Sequence, residues 1–118
     1  MIVPLALLIA LGPWSGPDLP TGAPDTIKYK LTVNGDAGSD VKLRSGPVPK
    51  DWIASFCTQR VCAPFKTSIT LPASGTYVIE FQLIPPDQRA KRAVTATVFA
   101  DDGFSRATAS SKRSGSTQ

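Results

Sequence analysis

Through nearly all of residues 26 to 100, apolar and polar side chains alternate with a period of two, and no helical period interrupts them. Successive side chains of a β-strand leave opposite faces, so each such stretch carries one face for a core and one for water. In TIKYKLTV, Ile27, Tyr29, Leu31 and Val33 alternate with Lys28, Lys30 and Thr32. DVKLRS sends Val41 and Leu43 one way and Lys42 and Arg44 the other. WIASFC sets Trp52 and Phe56 around Ala54, and KTSITL repeats the pattern with Thr67, Ile69 and Leu71. GTYVIEFQLI aligns Tyr77, Ile79, Phe81 and Leu83; KRAVTATVFA aligns Val94, Ala96 and Val98; FSRATAS reads as a weak last strand. The gaps NGDAGSD, GPVPKD, PASG, PPDQ and DDG are built from turn residues. Short strands about 8 to 14 residues apart with turn chemistry between them predict an antiparallel β-sandwich of about six to seven strands. Its core is expected to hold Tyr29, Leu31, Trp52, Phe56, Ile69, Phe81 and Val98. Trp52 continues an apolar face, which favours burial over an exposed ligand-binding role.

The 118 residues suffice for one domain with a single core. Histidine is absent, which removes a Ser-His-Asp or Cys-His nucleophile pair, an imidazole zinc site and a two-His copper site. No Gly-rich phosphate loop follows a candidate strand. No catalytic, cofactor-binding or metal-ligating residue is therefore assigned. The net charge is +4, with much of the excess in Arg89, Lys91, Arg92, Arg106, Lys112 and Arg113. A solvated face and a basic tail account for that bias, and no specific nucleic-acid partner is expected.

Residues 2 to 11, IVPLALLIAL, form an apolar run too short to span a bilayer as a helix and of the right length for the hydrophobic region of a secretory signal. Residues 1–12 are therefore expected to be a signal-like segment, with no stable transmembrane span; a first buried strand is the alternative. Residues 13–25 read as a Pro/Gly-rich linker, 26–109 as the sandwich and 110–118 as a disordered polar tail.

VPKDWIASF, ITLPASGTYVIEFQLIPPD and AVTATVFADDG together resemble the bacterial and archaeal immunoglobulin-like accessory domain of the alpha-galactosidase-associated, or NEW-three, type. Pro49 with Trp52, Leu71 to Gly75, and Pro85 with Pro86 stand at the places that carry the resemblance, which covers about residues 26 to 103. It implies an immunoglobulin-like fold and a spacer or accessory role in an exported protein. It brings no catalytic residue, and the loop bearing Cys57 and Cys62 is an insertion relative to its pattern.

Those two cysteines enclose only TQRV. In an exported chain the expected outcome is a structural disulfide between Cys57 and Cys62. A redox-active dithiol is the competing reading, with Arg60 between the sulfurs, and a thiolate metal site would need ligands from elsewhere. Glu80 is expected on the outer face of its strand, and the aspartates sit in turns, where Asp101, Asp102 or the NGDAGSD loop could also bind calcium. The sequence thus predicts a non-catalytic, extracytoplasmic immunoglobulin-like binding or structural module with a protein or cell-envelope glycan as partner. A small thiol-disulfide protein and a carbohydrate-binding domain with exposed aromatics are the alternatives.

Overall fold

A computed structural model describes residues 7–13, 26–58, 61–86 and 93–114. They form nine strands and no helix: β1 Leu8–Pro13, β2 Ile27–Asn34, β3 Asp40–Ser45, β4 Ile53–Cys57, β5 Cys62–Pro64, β6 Lys66–Thr70, β7 Thr76–Ile84, β8 Ala93–Asp101 and β9 Arg106–Ser114. One sheet has five strands in the order β1-β2-β7-β4-β5, the other four in the order β6-β3-β8-β9. All pairings are antiparallel. The fold class is the antiparallel β-sandwich that the period-two pattern predicts, and it is immunoglobulin-like, as the resemblance implies.

Register follows from the alternation. β2 and β7 pair Tyr29 with Phe81, Leu31 with Ile79 and Val33 with Tyr77, so the apolar members face the core together. A slip of one residue would carry Lys28 and Lys30 inward, and the cost of burying those charges pins the pairing. Tyr29, Phe81 and Phe56 form the aromatic centre, with ring centroids 6.2 Å and 4.9 Å apart along that series and tilted ring planes. All seven residues expected in the core are buried there.

The strand count exceeds the expectation by β1 and β5. β1 comes from the run read as signal-like: Leu7, Ile9 and Leu11 alternate toward the core, so Leu7 to Pro13 lie inside the sandwich rather than ahead of residue 26. Residues 14–25 of the expected linker lie outside the described residues. β5 is only three residues long and holds its place as the return arm of a hairpin with β4.

At the other terminus β9 runs to Ser114, past residue 109, where a disordered tail was expected to begin. β8 offers a ladder from Ala93 to Asp101, and β9 pairs along all of it, Ala93 with Ser114 through Asp101 with Arg106. Backbone pairing on an existing strand needs no apolar side chains, which is why a polar tract can extend this sheet. Residues 115–118 lie outside the described residues.

β5 passes into β6 through Phe65, and this residue carries the chain from one sheet to the other. Its N–H donates to the Ala54 carbonyl of the five-stranded sheet at 2.9 Å, and its carbonyl accepts from the Ser45 N–H of the four-stranded sheet at 2.8 Å. Phe65 adopts φ 65° to do so, a left-handed conformation unusual for a bulky side chain.

Candidate functional site

The outward side of the four-stranded sheet carries a cluster of cations, and Asp40 and Asp102 line a neighbouring pocket on it. β3 contributes Lys42 and Arg44, β6 Lys66 and Ser68, β8 Phe99 and Asp101, and β9 Arg106 and Thr108; together they line an open groove of about 890 Å3. Four cations thus meet one carboxylate. The register sets their spacing: Lys42 stands between Ser68 and Asp101, and Arg44 between Lys66 and Phe99.

Three local features shape this face. The Arg44 guanidinium lies over the Phe99 ring, 4.5 Å from its centroid, which steadies a long side chain without neutralising it. Arg106 approaches Asp101 at 3.4 Å, but both side chains are so exposed that the pair adds little stability. Arg44 and Lys66 face each other directly across the β3/β6 ladder, an arrangement of like charges that costs stability. A fold that keeps this local penalty on a solvent face is a candidate for binding an anion there.

The outer side of the five-stranded sheet differs. Glu80 lies on that face, opposite Lys30, as the alternation predicts, yet only 1% of it is exposed, and Gln82 beside it is also buried. Burial on a nominally wet face is a tertiary effect that period two does not report.

Cys57 and Cys62 are joined by a disulfide, with their Cα atoms 4.0 Å apart in directly opposed positions of the β4/β5 hairpin. The Thr58 N–H donates to the Val61 carbonyl at 2.9 Å, closing the turn beyond them. The cysteines therefore occupy the closer-approaching type of antiparallel pair, the one whose side chains lie nearest each other. Cys57 is buried, which disfavours attack by an external thiolate.

The turn aspartates are engaged in holding loops. Asp101 accepts from the Gly103 N–H at 2.7 Å, and Asp102 accepts from the Ser105 N–H at 2.7 Å and the Phe104 N–H at 2.8 Å. Those backbone donors, Ser105 first and then Phe104, hold the Asp102 carboxyl below the ordinary carboxylate range. Asp40 accepts from the Thr70 hydroxyl at 2.7 Å. Among the described residues no group of three or more His, Cys, Asp or Glu could hold a metal ion.

Trp52 and Tyr29, the aromatics a carbohydrate platform would need outside, are both in the core. Phe104, 96% exposed at the tip of the β8/β9 hairpin, stands apart from any such row. Of the basic residues singled out in the sequence, Arg106 reaches the groove, while Arg89, Lys91 and Arg92 lie outside the described residues. Lys42, Arg44, Lys66 and Phe99 carry the face without having been singled out. Their signal was present in the polar members of DVKLRS and KTSITL, but only the strand order places those members side by side. Among the described residues no helix is long and apolar enough to cross a membrane.

No protein-family model matches the sequence, and no curated protein matches it. The chain is similar in structure to the N-terminal domain of PorA, with a TM-score of 0.53 and 11% identity over 98% of this chain and 92% of that one. It is also similar to the ASH/PapD-like domain of human CEP192, PapD-like domain 7, with a TM-score of 0.44 and 15% identity over 98% of this chain and 87% of that one. The likeness to the PorA domain is one of fold, and the resemblance noted in the sequence holds at that level: the chain is an immunoglobulin-like β-sandwich.

Proposed function

We propose that the chain is a non-catalytic, extracytoplasmic binding or structural module of the accessory type, and that it holds an acidic cell-envelope glycan on the outer face of the four-stranded sheet. The observation that carries this reading is the cluster of Lys42, Arg44, Lys66 and Arg106 around Phe99, with Asp101 as the one opposing carboxylate of the groove. An open, hydroxyl-edged groove with fixed positive charge suits a chain of carboxylates or sulfates, each approached by a different cation. The Cys57–Cys62 disulfide supports an oxidising compartment.

The test is retention on immobilised acidic and neutral polysaccharides. Wild-type protein should bind the acidic polymer, lose it as salt rises through the screening range, and ignore the neutral one. A Lys42→Glu/Arg44→Glu double variant, matched to wild type in its thermal midpoint, should bind more than tenfold more weakly. Equal retention on the neutral polymer, or an unchanged affinity in the double variant, would overturn the reading. Stronger retention on an acidic protein than on the polysaccharide would move the partner to the protein class.

A further inference from the structure

We propose that the edge of β2 covered by β1 is a strand-accepting groove for an extended partner segment with apolar side chains at three alternate positions, and that β1 is its displaceable occupant. β1 lies along β2 from Leu8 opposite Asn34 to Pro13 opposite Tyr29. It is held by that ladder and by three inward side chains. Leu7 is 3% exposed, and Ile9 and Leu11 pack partly buried against the core. The first of these packs over a bare glycine: a Cβ placed on Gly35 would stand 3.5 Å from Leu7 Cδ1, an ordinary contact, and 3.0 Å from Leu71 Cδ1, a tight one. Leu8 and Ala10 face outward and are exposed.

The occupant is weakly matched to its slot. Leu, Ala, Gly12 and Pro13 are a poor strand composition, and Pro at an edge donates no ladder bond. Antiparallel neighbours need connections of only about 2 to 5 residues. Residues 14–25 intervene here, a longer Pro/Gly-rich tract, so β1 competes for its slot as a tethered strand and a cut in that tract removes the advantage. The rest of the sandwich does not depend on it. The aromatic centre is built by β2, β7 and β4, and four strands would remain in each sheet without β1.

The residues that fill the groove are also those with the composition of an export signal. Processing on export would remove them and leave the β2 edge, with the core positions that Leu7, Ile9 and Leu11 cover, open to strand addition from another chain. That route rests on the extracytoplasmic reading; the groove rests on the register alone. The register also specifies the partner. It needs Leu-, Ile- or Val-sized residues at positions i, i+2 and i+4, and an acidic residue at the place of Gly12 would face the exposed Lys30.

The experiment uses the full chain with a specific protease site introduced within residues 14–25. After cutting, a fluorescent peptide spanning residues 5–15 is added in excess, and its uptake is followed by anisotropy. The cut protein should take up the peptide at least tenfold more than the uncut protein. A peptide carrying Ile9→Lys and Leu11→Lys should fail to enter, and one carrying Gly12→Glu should bind several-fold more tightly at low salt. Equal uptake of the wild-type and double-lysine peptides, or uptake of neither by a cut chain that keeps its β spectrum, would overturn the proposal. If cutting unfolds the chain, refolding with excess wild-type peptide should restore the spectrum, and failure to restore it would also count against the groove. Polysaccharide binding by the opposite sheet is measured in parallel, so the failure of one reading leaves the other standing.

Discussion

The two lateral seams of this sandwich are closed by different means. On one side β5 at the edge of the five-stranded sheet continues through Phe65 into β6 at the edge of the four-stranded sheet, and a disulfide ties β5 to β4. On the other side β1 and β9 lie side by side in different sheets and share no ladder among the described residues, and β1 reaches its place over a long connection. β5 is half the length of β1, with Cys62 and Ala63 half-buried, yet it is the one held by a covalent bond. The contrast shows that an edge strand is kept either by local covalent geometry or by a few buried side chains. Only the second kind can be exchanged for another strand.

Variants at three places would sharpen or break that contrast. The largest effect is expected at the packed seam: Leu7→Ala removes a nearly fully buried side chain and should cost about 3 kcal/mol in denaturant unfolding, whereas Leu8→Ala at the exposed neighbour should be close to neutral. A much smaller loss with an unchanged aromatic spectrum would mean that β1 detaches as a unit before the core yields, and that this seam is weaker still. At the covalent seam, replacing Cys57 and Cys62 by Ser opens a very short loop, for which chain entropy gives roughly 2 kcal/mol. The melting temperature should fall by several degrees, on the scale of about 4 to 8 °C per kcal/mol, and the β spectrum should survive. Alkylation of wild-type protein without reductant should label neither thiol; full labelling would remove the covalent half of the comparison.

The smallest effect is expected at Phe65. Its left-handed backbone costs a side-chain-bearing residue about 1 to 2 kcal/mol, most of which glycine avoids before returning about 0.5 to 1 kcal/mol in chain entropy. Phe65→Gly should therefore leave stability unchanged or raise it by less than about 1 kcal/mol. Phe65→Val should lower it, because a branched Cβ fits that conformation worse. If glycine destabilises strongly, the half-exposed ring contributes packing to the crossover, and the seam is held by more than its backbone bonds.

Most of the sandwich was legible because each strand from β2 to β8, apart from β5, states its own inward face. Trp52 and Phe56 were placed in the core from their spacing alone, and the turns at NGDAGSD and DDG from residues that favour them. β1 was read as a signal-like segment because ten consecutive apolar residues show no alternation until a neighbour selects Leu7, Ile9 and Leu11. β9 was cut short because its serines and threonines have no apolar signal, and its partner β8 supplies the order. The disulfide was legible from proximity in sequence and an expected compartment. The cationic face was not, since Arg44, Lys66, Phe99 and Arg106 come from four strands.

By itself the sequence determined the strand class, the inner and outer face of most strands, the turns and the stapled loop at Cys57 and Cys62. Each of these depends on neighbours within a few positions along the chain. Tertiary structure alone decided which strands lie side by side, and with that the grouping of Lys42, Arg44, Lys66 and Arg106 on one face, the burial of Glu80 and the seating of β1. Those outcomes turn on contacts between residues far apart in the chain. Such contacts are set by the joint burial of two sheets and not by the pattern of any single strand.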